Sequence, residues 1–133
     1  MHLRQTGTAI LIALILFTSC TKHGAPPQPG LIGNWSLKQV EGGIAGIVIK
    51  VPADSPVILT LKSDSSFVVY DRFVLVGSGT YHLLETPIYS NTPQPAISFS
   101  PLIPPTSYRI SHDSLFLGED FDDDFQRIYV KVN

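Results

Sequence analysis

Eight short segments of alternating apolar and polar residues run between residues 33 and 132, and they constrain the fold most. A period of two is typical of β-strands that bury one face. Turn residues separate the segments, as at Asp64-Ser65 and His112-Asp113. No segment keeps a helical period, and six prolines between residues 87 and 105 exclude a helix there. The predicted strands are Gly33–Glu41, Val57–Lys62, Ser66–Phe73, Thr80–Leu84, Ala96–Ser100, Ser107–Ser111, Ser114–Gly118 and Gln126–Val132.

The predicted fold is all-β, an antiparallel up-and-down barrel of about eight strands, with a β-sandwich as the alternative. Eight short strands can avoid exposed sheet edges if the sheet closes into a barrel or if two sheets pack as a sandwich. Gly77-Ser78-Gly79 is expected to break the pattern, while the stretch 42–54 could extend the first strand or form a loop over one mouth. His82 is expected to point outward. The side chains expected inside are Trp35, Leu37, Val57, Leu59, Leu61, Phe67, Val69, Tyr81, Leu83, Ile97, Phe99, Tyr108, Ile110, Leu115, Leu117, Ile128, Val130 and Val132.

The first twenty residues have the order of a secretory signal peptide. Arg4 precedes nine apolar residues, Ala9 to Phe17, and two small residues then lead to Cys20, the one cysteine of the chain. Nine apolar residues are too few to span a bilayer, which needs about 20. The predicted organisation is a signal peptide at 1–19, Cys20 with a Pro/Gly-rich tether at 20–30, and one β domain at 31–133.

The end of this leader, Leu16-Phe17-Thr18-Ser19-Cys20, resembles the lipobox of bacterial lipoproteins. That resemblance implies cleavage before Cys20, a diacylglycerol on its sulfur, and acylation of the new amino terminus with a chain such as palmitate. Two or more acyl chains make a stable membrane anchor. Thr21 stands where an aspartate is associated with inner-membrane retention, so the resemblance favours the outer membrane of the cell envelope.

The order of several motifs in the domain resembles the small lipocalin-like lipoproteins of gram-negative bacteria. The chain opens its first strand with Gly33-Asn34-Trp35 and later carries Gly79-Thr80-Tyr81 and a turn-and-leucine hairpin, 110–117. The resemblance implies an eight-stranded barrel whose opening tryptophan packs at the closed end beneath an arginine of the last strand. In this chain Arg127 or Lys131 could take the place of that arginine.

Charge and motif content exclude several function classes. From Cys20 onward, eight Lys and Arg stand against eleven Asp and Glu, a net charge of −3, and five of the acids lie within 119–124. Neither nucleic acid nor an anionic membrane surface is implied as a partner. The acidic segment lacks EF-hand spacing, and His23, His82 and His112 are too scattered for zinc. No nucleophile elbow is present. We therefore expect no metal, no cofactor and no enzyme activity.

Five aromatic residues could line a ligand cavity or simply fill the core: Trp35, Phe67, Tyr81, Phe99 and Tyr108. An eight-stranded barrel has room inside for side chains or one small ligand. Asp71 shares the alternation face of Phe67 and Val69, so it lies at the open mouth or contacts a ligand. The Pro-rich span 86–105, with Ile88 and Tyr89 at its tip, could be a lid, a docking loop or a connector.

Two functions of different class follow. The first is a lipid-anchored barrel that binds a small apolar ligand or a partner at its open end. The alternative is a filled barrel that serves as an interaction or scaffolding module without a ligand. A cavity of several hundred Å³ would favour the first.

Overall fold

The structure is a computed structural model that describes residues 28–86, 94–101, 103–118 and 125–133. Within these ranges the chain forms nine strands and no helix. The described residues therefore contain no helix that could cross a membrane. The strands are β1 (Gly33–Gly42), β2 (Ile47–Lys50), β3 (Val57–Leu61), β4 (Ser66–Asp71), β5 (Val74–Thr86), β6 (Gln94–Ser100), β7 (Ile103–Ser111), β8 (Ser114–Leu117) and β9 (Phe125–Val132).

Eight of the strands close into an antiparallel barrel. β1 and β3 to β9 are hydrogen-bonded in sequence order, and β1 pairs again with β9 to close the ring. In that closing pair Trp35 lies opposite Lys131 at one end, and Gly42 lies opposite Phe125 at the other. The predicted all-β up-and-down barrel is confirmed, and the sandwich alternative is excluded because a closed ring has no second sheet.

The stretch 42–54 supplies a ninth strand outside the ring. β1 turns at residues 43–46, and β2 then pairs with Gln39 to Gly42. Gly43 and Gly46 have φ values of 74° and 58°, which glycine adopts without a Cβ clash. β3 pairs with the other half of the same β1 edge, Gly33 to Ser36. The stretch therefore forms a hairpin at the end of the barrel opposite Trp35.

The predicted break at Gly77-Ser78-Gly79 is wrong, because β5 runs through it without interruption. Gly79 allows a close approach between neighbouring strands rather than ending β5. A Cβ on Gly79 would overlap the backbone carbonyl oxygen of Ser100 on the neighbouring strand. Val76 is the extra residue of a β-bulge, since Gly77 pairs with Val69 while Leu75 pairs with Tyr70.

The core follows the predicted alternation in every strand except the last. Tyr129 is buried, whereas Ile128, Val130 and Val132 are only partly buried, so the phase predicted for β9 is wrong. The aliphatic residues of β9, Ile128, Val130 and Val132, occupy the even positions, and this pattern suggested the wrong face. Pairing with β1 instead turns the odd positions inward, where Tyr129 lies opposite Leu37.

Candidate functional site

The barrel is plugged at the end where β1 begins, called here the closed end. Leu31 and Trp35 are fully buried, and the Trp35 indole Nε1 donates a 2.8 Å hydrogen bond to the carbonyl oxygen of Leu31. Lys131 Nζ lies 5.2 Å from the centroid of the Trp35 ring and donates a 3.3 Å hydrogen bond to the carbonyl oxygen of Gly30. Of the two cations considered for this place, Lys131 is the one over the tryptophan, within reach of a cation–π contact.

Tyr81 holds the β3–β4 turn to the same end. Its hydroxyl donates a 2.7 Å hydrogen bond to the carbonyl oxygen of Lys62, and its backbone N–H donates one to Ser65. In the turn, hydrogen bonds from the Ser66 hydroxyl and N–H keep the pKa of the Asp64 carboxyl below its ordinary value. The buried Tyr81 thus fixes the β3–β4 turn at the closed end by two hydrogen bonds.

Alkaline pH is expected to weaken the fold through three buried tyrosines. Burial raises the pKa of the Tyr81, Tyr108 and Tyr129 phenols, because a buried phenolate loses its hydration. The folded state therefore keeps these protons longer than the unfolded chain does. The contribution of these tyrosines to the free energy of unfolding is complete below about pH 10. It is lost as the pH rises through their pKa values in the folded state. Urea melts at about pH 8 and about pH 11 measure this loss, which we expect to be smaller in Tyr129→Phe. An equal loss in that variant would contradict the assignment to Tyr129.

A cavity of about 320 Å³ lies between this plug and the opposite end, called here the mouth. The mouth carries the β1–β2 and β4–β5 hairpins, since β1 and β4 both run away from the closed end. The cavity wall is mostly aliphatic and aromatic. Its lining residues are Leu37, Val57, Leu59, Phe67, Val69, Val76, Gly77, Phe99, Thr106, Leu117, Arg127 and Tyr129.

Polar groups enter this wall mainly from β9. Arg127 is the charged residue of the lining, and Tyr129 and Thr106 each add a hydroxyl. Burial raises the pKa of the Tyr129 phenol, and this outweighs the opposing effect of the Arg127 charge. The phenol therefore stays neutral at physiological pH and can both donate and accept a hydrogen bond. The site is an apolar pocket with one cation and two hydroxyls.

The structure divides the five aromatic residues that were candidates for a cavity lining. Phe67 and Phe99 line the cavity and meet edge to face, with ring centroids 5.0 Å apart. Trp35 and Tyr81 are buried in the closed end, and Tyr108 is buried opposite Leu117, so these three do not line this cavity. The five residues separate in this way because alternation predicts which side chains face the interior. It does not predict where along the barrel axis each of them lies.

Other lining residues were recognisable only in part from the sequence. Leu37, Val57, Leu59, Val69 and Leu117 were all expected inside, although none was singled out as a cavity residue. Arg127 and Tyr129 were missed because the phase of β9 was assigned to the even positions. Val76 was missed because it forms a bulge, which alternation does not reveal.

Asp71 lies at the mouth, the first of the two places considered for it. It is the last residue of β4 and pairs with Val57 and Val74 beside the hairpin turn. Its carboxylate is 3.3 Å from Nε of Arg72, and both side chains are substantially exposed. An exposed pair of this kind contributes little to stability.

Several predicted features lie outside the described residues. These are the signal peptide, Cys20 with most of its tether, Ile88 and Tyr89 of the Pro-rich span, and the acidic segment 119–124. Within the described ranges, no three His, Cys, Asp or Glu side chains come together in a group that could hold a metal ion. His82 is exposed, as expected for an outward position.

Comparisons of the chain with protein-family models, with curated proteins and with solved structures find no match. The likeness to lipocalin-like lipoproteins therefore rests on the motifs of the sequence and on a barrel compatible with that fold.

Proposed function

We propose that this chain is a lipid-anchored envelope protein whose lipocalin-like barrel binds a small apolar ligand through its mouth. Cys20 would carry the lipid, and the barrel would act by binding rather than by catalysis, without a cofactor. The outer membrane is the favoured location, because Thr21 stands where an aspartate is associated with inner-membrane retention. No nucleic acid takes part.

The cavity carries this proposal. Small-molecule sites generally have volumes of roughly 300–1,000 Å³, and the space of about 320 Å³ falls at the low end of that range. At roughly 30 Å³ for each water-sized group, about ten such groups would fit. A filled barrel that serves only as an interaction module has no need of this space, so the cavity favours ligand binding over that alternative.

The chemistry of the wall suggests the kind of ligand. Most of the lining is apolar, and its polar groups are the Arg127 guanidinium and the Tyr129 and Thr106 hydroxyls. A small molecule with an apolar body and a single polar or anionic group would satisfy both parts. Arg127 pairs opposite Val40 on β1, close to the mouth, so the polar group of the ligand would face outward.

Filling the cavity should abolish ligand binding. Val69 lines the cavity, whereas Val68 is its neighbour on the opposite face of β4, where it pairs with Thr60 and Ser78. Val69→Phe should reduce binding of the apolar dye anilinonaphthalene sulfonate at least about tenfold, a loss of about 1.4 kcal/mol. Val68→Phe, the matched control, should bind as the parent chain does.

Native mass spectrometry gives a second readout for the same pair of variants. A small molecule that co-purifies with the parent chain and with Val68→Phe should be missing from Val69→Phe. If dye affinity and bound mass are unchanged in Val69→Phe, ligand binding in this cavity is contradicted and the filled-module alternative is favoured.

The anchor is tested separately. Cys20→Ser should release the protein from the membrane fraction or leave an uncleaved precursor, because serine offers no thiol for the thioether. Fractionation and intact mass measure this outcome. A mature-length Cys20→Ser protein that stays with the membranes and carries no acyl mass would contradict the lipid anchor.

A further inference from the structure

Two hairpin tips at the mouth expose apolar side chains to solvent. In the β1–β2 turn Ile44 is 89% exposed. In the β4–β5 hairpin Phe73 is 82% exposed, and Val74 and Leu75 beside it are more than half exposed. Large apolar side chains at both tips give the mouth an uncovered apolar rim, which the folding of the barrel does not require.

The β4–β5 tip holds its phenylalanine at a conformational cost. Asp71 pairs with Val74, so Arg72 and Phe73 form a two-residue loop, and their φ values are 48° and 67°. Turns with positive φ at both positions favour Asn-Gly, since a Cβ is unfavourable there. A bulky residue in this conformation is an outlier, and such strain is found preferentially at functional sites. Phe73 gains no burial within the described part of the chain in return.

The apolar rim is continuous with the cavity wall. Cross-strand partners lie on the same face of a sheet, and Val40 pairs with Ile49 on one side and with the cavity residue Arg127 on the other. Ile49 therefore extends the inner face of the barrel beyond the ring, and it is about half exposed. On the other hairpin, Val76 itself lines the cavity.

We propose that this rim is a bilayer-contacting surface, with Ile44 and Phe73 inserting into the hydrocarbon boundary of a membrane. The two tips are separate loop ends, and fluid lipid can accept each of them independently without matching their shapes. Arg72, which is largely exposed beside Phe73, can keep its guanidinium at the headgroup level while Phe73 enters the apolar layer. A ligand could then pass between membrane and cavity along an apolar path.

The charge of the chain favours a neutral bilayer. From Cys20 onward eight Lys and Arg stand against eleven Asp and Glu, a net charge of −3. This net negative charge would oppose binding to an anionic surface. Contact is therefore expected to depend on burial of apolar side chains rather than on anionic lipid.

The tether is long enough for the mouth to reach the membrane that holds Cys20. The eight residues from Cys20 to Gln28 span at most about 26–29 Å when extended. β9 has eight residues and is therefore about 26 Å long, and its tilt in the barrel shortens the distance from closed end to mouth. Only this estimate of reach relies on the proposed lipid anchor at Cys20. Contact of the rim with lipid does not depend on that anchor.

Vesicle flotation tests the proposal on the chain from residue 20 onward with Cys20→Ser, which keeps the tether and the barrel but carries no lipid. This protein should float with neutral phosphatidylcholine vesicles. Phe73→Gly should lower the floated fraction at least about fivefold, with a melting temperature that is not lower, because glycine tolerates the positive φ. Added phosphatidylglycerol should not increase binding, and salt should not abolish it.

The matched control is the β7–β8 hairpin at the closed end. His112 is also an exposed turn residue with positive φ, at 53°, so His112→Gly makes the same backbone change away from the mouth. It should float as the parent does. Phe73→Trp gives a second readout, since the emission of the new indole should shift to the blue on vesicles while Trp35 is already buried.

Three results would overturn the proposal: no flotation of the parent chain, equal flotation of Phe73→Gly, or an equal loss in His112→Gly. Binding that requires phosphatidylglycerol and is abolished by salt would also overturn it in favour of an electrostatic contact. Flotation of Val69→Phe separates this inference from the proposed function, because filling the cavity should leave the rim and its membrane contact intact.

Discussion

Trp35→Ala should leave the domain marginally stable or unfolded. The Trp35 side chain is fully buried at the closed end, where it also donates a hydrogen bond to the carbonyl oxygen of Leu31. Truncation of a buried tryptophan costs about 3–5 kcal/mol, and a domain of this size has a total stability of roughly 5–15 kcal/mol. Urea melts followed by far-ultraviolet circular dichroism measure the loss.

His82→Ala is the control for this prediction. His82 lies on β5 directly after the buried Tyr81, and its side chain is exposed. Its truncation should change the free energy of unfolding by less than about 0.5 kcal/mol. Equally small effects of the two substitutions would contradict the burial of Trp35 and the register of β1, because a slip of one residue exchanges inner and outer faces.

Gly79→Ala should cost roughly 3 kcal/mol, which is large for the addition of one methyl group. The new Cβ would overlap the carbonyl oxygen of Ser100 and lie 3.1 Å from Cε1 of Phe67. This carbonyl belongs to Ser100, which pairs with Thr80, the residue after Gly79, so relief of the overlap requires β5 and β6 to separate. Phe67 is buried against Phe99 and cannot move away easily.

Ser78→Ala tests whether this cost is specific to the close approach. Ser78 precedes Gly79 on the same strand, and its side chain is exposed. We expect a change below about 0.5 kcal/mol in its free energy of unfolding. A Gly79→Ala protein as stable as Ser78→Ala would show that the two strands do not approach each other as closely as described.

The two ends of the barrel have different tasks in this picture. The closed end is tightly packed around Leu31, Trp35 and Tyr81, with Lys131 over the tryptophan ring. The mouth end contains the cavity, and its hairpins leave Ile44 and Phe73 in solvent. The plug around Trp35 therefore lies at one end of the barrel, and the proposed binding is placed at the other.

Alternation along the sequence determined the fold class and most of the core. A β-strand alternates its faces with a period of two, so buried and exposed positions are recorded directly in the order of residues. The inward assignments of β1, β3, β4 and β5 to β8 agree with the structure, as do the turns at Asp64-Ser65 and His112-Asp113. Alternation also placed Trp35 on the inner face, whereas its position at the closed end was implied by the resemblance to lipocalin-like lipoproteins.

Where both faces of a strand carry suitable side chains, alternation alone gave the wrong answer. In β9 the even positions hold Ile128 and Val130, but the register with β1 turns Arg127 and Tyr129 inward. Arg127 lines the cavity although it is exposed, so an inner position near the mouth need not carry an apolar residue. Only the closure of the barrel fixed this phase.

The candidate site was decided by tertiary structure. Phe67 and Tyr81 are both inward aromatic residues, yet one lines the cavity and the other braces the closed end, because stagger between strands sets the height of each. The exposed rim at Ile44 and Phe73 likewise depends on which hairpins meet at one end. The sequence by itself determined which side chains face inward in most strands, whereas strand register and closure decided where the space inside the barrel remains.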